Sequence, residues 1–245
     1  MSFLNNTFFS PLTEFHPAGN KKSKNLVIIW FSVIVLLTVA LYEGHTSFFI
    51  KHFGHHFEAG PLLDWYKWGY HHLAVFVLWF IVPVLLIKAW MKEKTANFGM
   101  QLGDWKFGLK ATLVAFLILP IGVYISSFDT DMQAQYPLTT LAMQSPSYFA
   151  LWGLVYLPYY IGWEFLFRGY VGIGMRKYYG AFTAIMIQTV LSTIMHIGKP
   201  EGETWGAVVG GIYLGLLTYR TNSILWALLF HWYLGMINTY FCGIH

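Results

Sequence analysis

The sequence predicts an all-α, polytopic membrane bundle of about seven transmembrane helices with one or two interfacial helices, on three observations. Of the 245 residues, 56% are hydrophobic and only 11% charged, more apolar surface than a soluble domain of this length needs. Seven runs approach the roughly 20 apolar residues that a spanning helix requires. Lysine and arginine are distributed with a strong side bias, as the loops of a multi-spanning chain are.

In chain order, residues 1–24 are polar and mixed and read as a cytoplasmic N-terminal segment. The first apolar run, 25–42, is too long for a signal peptide and reads as an uncleaved span. Residues 46–57 mix aromatic with basic residues, the pattern of an interfacial helix. The next two spans are expected at 72–91 and 107–125, with 97–106 as a second interfacial piece. Spans four to seven are expected at 147–167, 181–196, 205–219 and 223–241, and the chain reads as one membrane domain over 1–245. In the sixth span, Gly206/Gly210 and Gly211/Gly215 are four residues apart, a spacing that lets helices approach closely.

With the N-terminus inside, Lys21, Lys22, Lys24, Lys88, Lys92, Lys94, Lys106, Lys110, Arg176, Lys177 and Arg220 all fall on the cytoplasmic side. Lys51, Lys67 and Lys199 fall outside, and Arg168 lies within the membrane. The pI near 9 follows from this loop bias, and no basic run suggests nucleic acid. A bacterial plasma membrane is the expected location, with the C-terminus exterior. Cys242 stands alone, so no internal disulfide forms. As a prenylation box, Cys242-Gly243-Ile244-His245 is poor and reads as coincidence.

Ionisable groups inside apolar runs are costly and usually functional. Glu164 and Arg168 lie four residues apart in the fourth span, the favourable order for a helical ion pair. His196 ends the fifth span and His231 lies in the seventh. Counting helical rise from the turn near 178–180 places Glu164 roughly 21–24 Å and His196 roughly 24–27 Å from the cytoplasmic side. The same count from 220–222 leaves His231 at roughly 14–17 Å and brings Asn238, on the same helical face, to roughly 24–27 Å. Glu164 and His196 are thus expected at one level, with tilt deciding whether His231 or Asn238 joins them.

These residues resemble the CPBP membrane proteins, which include type II CAAX prenyl endopeptidases and bacteriocin-processing or self-immunity proteins. The stretch Gly162-Trp163-Glu164-Phe165-Leu166-Phe167-Arg168-Gly169 is similar to their first motif, two glutamates followed by three residues and arginine. His196-Ile197-Gly198-Lys199-Pro200, with Glu203 following, is similar to the second motif. Tyr219–Ile224 leading to Leu228-Leu229-Phe230-His231 is similar to the approach to the third, and the likeness covers roughly 107–240. Three positions depart from the pattern. Trp163 stands where the family has its first glutamate, the residue thought to activate water. Ser192 stands for a phenylalanine, and Gly235 for a polar residue four after the last histidine.

The resemblance implies an intramembrane endopeptidase acting on a peptide or protein substrate at the bilayer. Glu164 and His196 would activate water, with His231 and Asn238 on the oxyanion. It leaves open a divalent metal such as zinc held by Glu164, His196 and His231, and a non-catalytic binding, immunity or regulatory role. From another enzyme class, His52-Phe53-Gly54-His55-His56, with His45, His71 and His72 nearby, fits the histidine box of a di-iron membrane oxygenase.

Overall fold

The computed structural model describes residues 21–245, so most of the predicted N-terminal segment lies outside the described residues. Those residues form helices and connecting turns, with no strand among them. All seven expected long helices are present: α1 (Lys21–Tyr42), α3 (Pro61–Met91), α4 (Trp105–Ser126), α6 (Pro146–Glu164), α7 (Gly174–Ile194), α8 (Glu201–Thr221) and α9 (Leu225–Ile244). Two short helices, α2 (Thr46–Phe53) and α5 (Thr130–Gln135), fill connections between them. Among the described residues, three helices are long and apolar enough to cross a membrane: α1 from Lys24, α3 and α4. Leu117, Ile118, Ile121 and Ile125 of α4, like Phe31 and Ile34 of α1, are exposed. A surface so apolar suits lipid rather than water.

Local signals start the helices where expected. Asp104 caps α4 by accepting from the Phe107 N–H, and Ser145 caps α6 by accepting from Tyr148, with Pro146 in the first turn. The chain leaves α6 through a π-helical stretch, Phe165–Ile173, which carries Arg168. Glycine then reverses the direction: inside α7, Gly180 has φ 79°, open to residues without a Cβ, and this is the turn expected near 178–180.

The main core lies between α1, α3 and the α6–α7 segment, around Ile29, Trp79, Phe98, Phe165, Phe167 and Tyr170. A second cluster, with Trp152, Tyr156, Tyr160 and Met236, joins α6 to α9.

The segment 97–106 is not an interfacial helix. Phe98 is 1% exposed, Gly99 O accepts from the Ile224 N–H at 3.0 Å, and Asp104 N–H donates to Thr221 O at 2.9 Å. Gly99 (φ 84°) and Gly103 (φ 58°) bend this strip beneath the start of α9. There a side chain at Gly103 would overlap Thr221 O. The strip therefore sets the height at which α9 begins, which decides the geometry of the site.

Candidate active site

A cavity of about 460 Å³ opens between α4, α6, α7, α8 and α9. Arg168, His196, His231 and Asn238 line it, and Glu164 does not. The carboxylate of Glu164, fully buried, lies behind His231: Nδ1–H of His231 donates to Oε1 at 2.6 Å. Its other oxygen faces Arg168 Nε at 3.3 Å, an ion pair without an aligned hydrogen bond. Because a carboxylate only accepts, this contact fixes the proton on Nδ1 and leaves Nε2 as the free ring nitrogen of His231.

The pairing of Glu164 with His231 rather than His196 differs from the expectation built on helical rise. That count started α9 at the membrane face, but the 97–104 strip lies beneath it. A Cβ placed at Gly169 would come 3.4 Å from Ile224, so the first turn of α9 packs beside Gly169. Seven residues of rise from Ile224 then bring His231 close to the level of Glu164.

His196 arrives by another route. Helix α7 ends at Ile194, and the imidazole folds back so that Nδ1–H donates to Ser192 O at 2.8 Å. A carbonyl cannot donate, so His196 also keeps Nε2 as its free nitrogen. Ser192, standing where the family pattern has phenylalanine, is buried and supplies this anchor. Between the two histidines stands Trp163, its indole edge-on to His196 at 5.1 Å and to His231 at 6.1 Å between ring centres.

The missing motif groups are thus replaced by aromatic ones. Trp163 fills the place of the first glutamate, and its Nε1–H has no hydrogen-bond partner. The space beside Gly235 belongs to Tyr160, whose phenol a Cβ there would overlap. Asn238, one turn further, lines the cavity and accepts from buried Cys242 through Oδ1, leaving its amide nitrogen to donate. That contact also places Cys242 inside the bundle.

Sequence reasoning did not single out the cavity's outer end. There Tyr136 donates to Glu203 at 3.0 Å, and Lys199 reaches both Tyr136 (2.7 Å) and Glu203 (3.0 Å). Burial and the Glu203 carboxylate push the Tyr136 phenol well above its ordinary value, so it remains a donor. Glu203 was visible as part of the second motif, but nothing in the sequence paired it with Tyr136, 67 residues away.

Among the described residues, no three histidine, cysteine, aspartate or glutamate side chains converge to hold a metal. Glu164, His196 and His231 do not fit a zinc site, since Glu164 is turned onto His231 Nδ1 and Arg168. The histidine box does not converge either. His71 and His72 are bound to backbone carbonyls of Gly44 and Val155, while His52 packs on Phe48.

Residues 145–237 match the family model of the Rce1-like type II CAAX prenyl endopeptidases. This segment holds α6 to most of α9, and with it Glu164, Arg168, His196 and His231. No curated protein and no solved structure matches the chain. The match spans 93 of the 245 residues, and together with the three apolar helices that precede it supports a membrane protein.

Proposed function

We propose that the chain is an intramembrane endopeptidase whose water is activated by histidine, with Glu164 as a positioning residue. The observation that carries this reading is the Glu164–His231 contact, which sets Nε2 of His231 free beside the cavity with a carboxylate behind it. A buried carboxylate on Nδ1–H holds the tautomer and stabilises the imidazolium as it forms. His231 Nε2 takes a proton from water, the water oxygen attacks the peptide carbonyl carbon, and Asn238 donates to the developing oxyanion. The C–N bond then breaks, and the imidazolium returns the proton to the leaving amine. His196 Nε2 supplies a second acceptor for water or substrate. The lysine and arginine bias supports a cavity mouth on the exterior side of a bacterial plasma membrane.

The test is cleavage of a membrane-anchored peptide library by purified protein in lipid, read by mass spectrometry. His231→Ala is expected to lower the rate at least about 100-fold, the usual contribution of a general base, and His196→Ala to lower it as well. Equal cleavage by wild type and His231→Ala overturns the mechanism. Trp163 favours a second reading, a peptide-binding protein without catalysis, because its indole fills the family's first glutamate position. Absence of cleavage by folded wild type across the library selects that reading.

A further inference from the structure

The face of α9 that carries His231 and Asn238 is bare between them. Gly235 lies four residues after His231 and three before Asn238, spacings that put all three on one side of the helix. All three line the cavity. The bare position is filled from α6. Tyr160 lines the same cavity, and a Cβ at Gly235 would overlap its phenol oxygen. The hydroxyl of Tyr160 therefore stands where a side chain at 235 would begin, on the stripe between His231 and Asn238.

Its surroundings hold it there. Tyr160 is 3% exposed, its ring meets His231 edge-on at 4.8 Å between ring centres, and Tyr156 packs on it at 4.6 Å. A buried phenol seeks a partner for its one O–H. The Gly235 carbonyl does not offer itself, since Thr239 Oγ1 already donates to it at 2.9 Å in addition to the helical N–H.

Distance then decides what the hydroxyl can serve. A water within about 3 Å of His231 Nε2 and a carbonyl carbon about 3 Å beyond it place the developing oxyanion roughly 6–7 Å from the base. Measured along α9, position 235 is about 6 Å from His231, whereas Asn238 is about 10.5 Å away. The phenol is the nearer donor.

We infer that Tyr160 is a catalytic residue whose phenol O–H donates to the oxyanion from the place that Gly235 leaves bare, with Asn238 as the outer donor. The inference rests on the peptide-hydrolase reading, and its test separates the two.

The experiment measures binding of fluorescein-labelled, membrane-anchored decapeptides to the full chain in lipid nanodiscs, with cleavage followed in parallel. A matched set carries a phosphinate in place of each peptide bond in turn, because a phosphinate has the tetrahedral shape and the anionic oxygen of the intermediate. Tyr160→Phe keeps the ring and removes the donor. It should weaken the tightest phosphinate at least tenfold, leave the parent peptide within twofold, and lower kcat about 100-fold with KM unchanged. As a second variant, Gly235→Asn added to Tyr160→Ala returns a donor to the vacated space and should recover at least fivefold in phosphinate affinity. If Tyr160→Phe does not fold, that recovery decides, and its absence overturns the donor. Selective loss of phosphinate affinity in a protein whose wild type does not cleave upholds the donor and defeats the hydrolase reading. Parent and phosphinate weakened alike, phosphinate affinity untouched, or no phosphinate bound by wild type overturns the donor. Cleavage by wild type in any of those three cases leaves the hydrolase reading standing.

Discussion

Among the described residues, Arg168 pairs with one charged group, Glu164, whose removal would strand the guanidinium. Breaking a buried pair from one side costs about 3–5 kcal/mol, whereas replacing both members with apolar groups is often nearly neutral. Glu164→Leu should therefore lower the unfolding temperature in detergent sharply, and Glu164→Leu combined with Arg168→Leu should recover most of the loss. A double variant less stable than the single one would mean that Arg168 has another counter-charge. Glu164, Arg168, His196, His231 and Asn238 were all legible as polar groups in apolar runs, because such groups are expensive and stand out. The Glu164–Arg168 pair was legible from its four-residue spacing, but which histidine meets Glu164 was not. That depends on the height of α9, set by a strip of loop 120 residues earlier that reads as surface.

Helix α8 shows how a correct pattern still hides two structural roles. Four-residue glycine spacing predicts close packing, and Gly211 and Gly215 do pack against α7. Gly210 is the immediate neighbour of Gly211, yet one residue of helical rotation, 100° at 3.6 residues per turn, turns it from a packed surface to an open one. No single-sequence periodicity separates such adjacent stripes, because both obey the same spacing. Their energetics should differ in sign. Gly211→Ala forces a Cβ against Thr189 and should destabilise by about 1–3 kcal/mol, the usual range for overpacking. Gly210→Ala meets open space and should be neutral or stabilising by up to about 1 kcal/mol. Thermal unfolding of the two variants in one detergent checks the contrast, and equal destabilisation would show that Gly210 packs too.

At the scale of the whole molecule, the helices are tied directly to one another at one end and enclose the cavity towards the other. At the tied end, Arg220 Nη1 meets Asp104 Oδ2 at 2.8 Å, joining α8 to α4, and Glu93 gathers three elements. It accepts from Asn25 Nδ2 at 2.8 Å and from Lys177 Nζ at 2.7 Å, linking the ends of α1, α3 and α7. At the other end, Ser126 of α4 and Gly202 of α8 both line the cavity, near the Tyr136–Lys199–Glu203 cluster. Tying the basic end lets a membrane bundle keep its fold around the cavity.

The tie predicts a specific acid sensitivity. Burial alone would raise the Glu93 carboxyl, but Lys177 and the Asn25 amide outweigh it and hold it below its ordinary value of 4.5. A depressed folded-state value means that the stabilisation is complete above about pH 5. It begins to fall as the pH drops through the unfolded-state value, and it is gone below the folded-state one. Because the pair is partly exposed, its worth is under about 1 kcal/mol. Glu93→Gln should therefore reduce stability slightly at neutral pH and flatten the acid limb of the unfolding temperature between pH 5 and pH 3. An acid limb as steep in Glu93→Gln as in wild type would place the acid-sensitive tie elsewhere, leaving the cavity end as the part of the bundle that acid opens first.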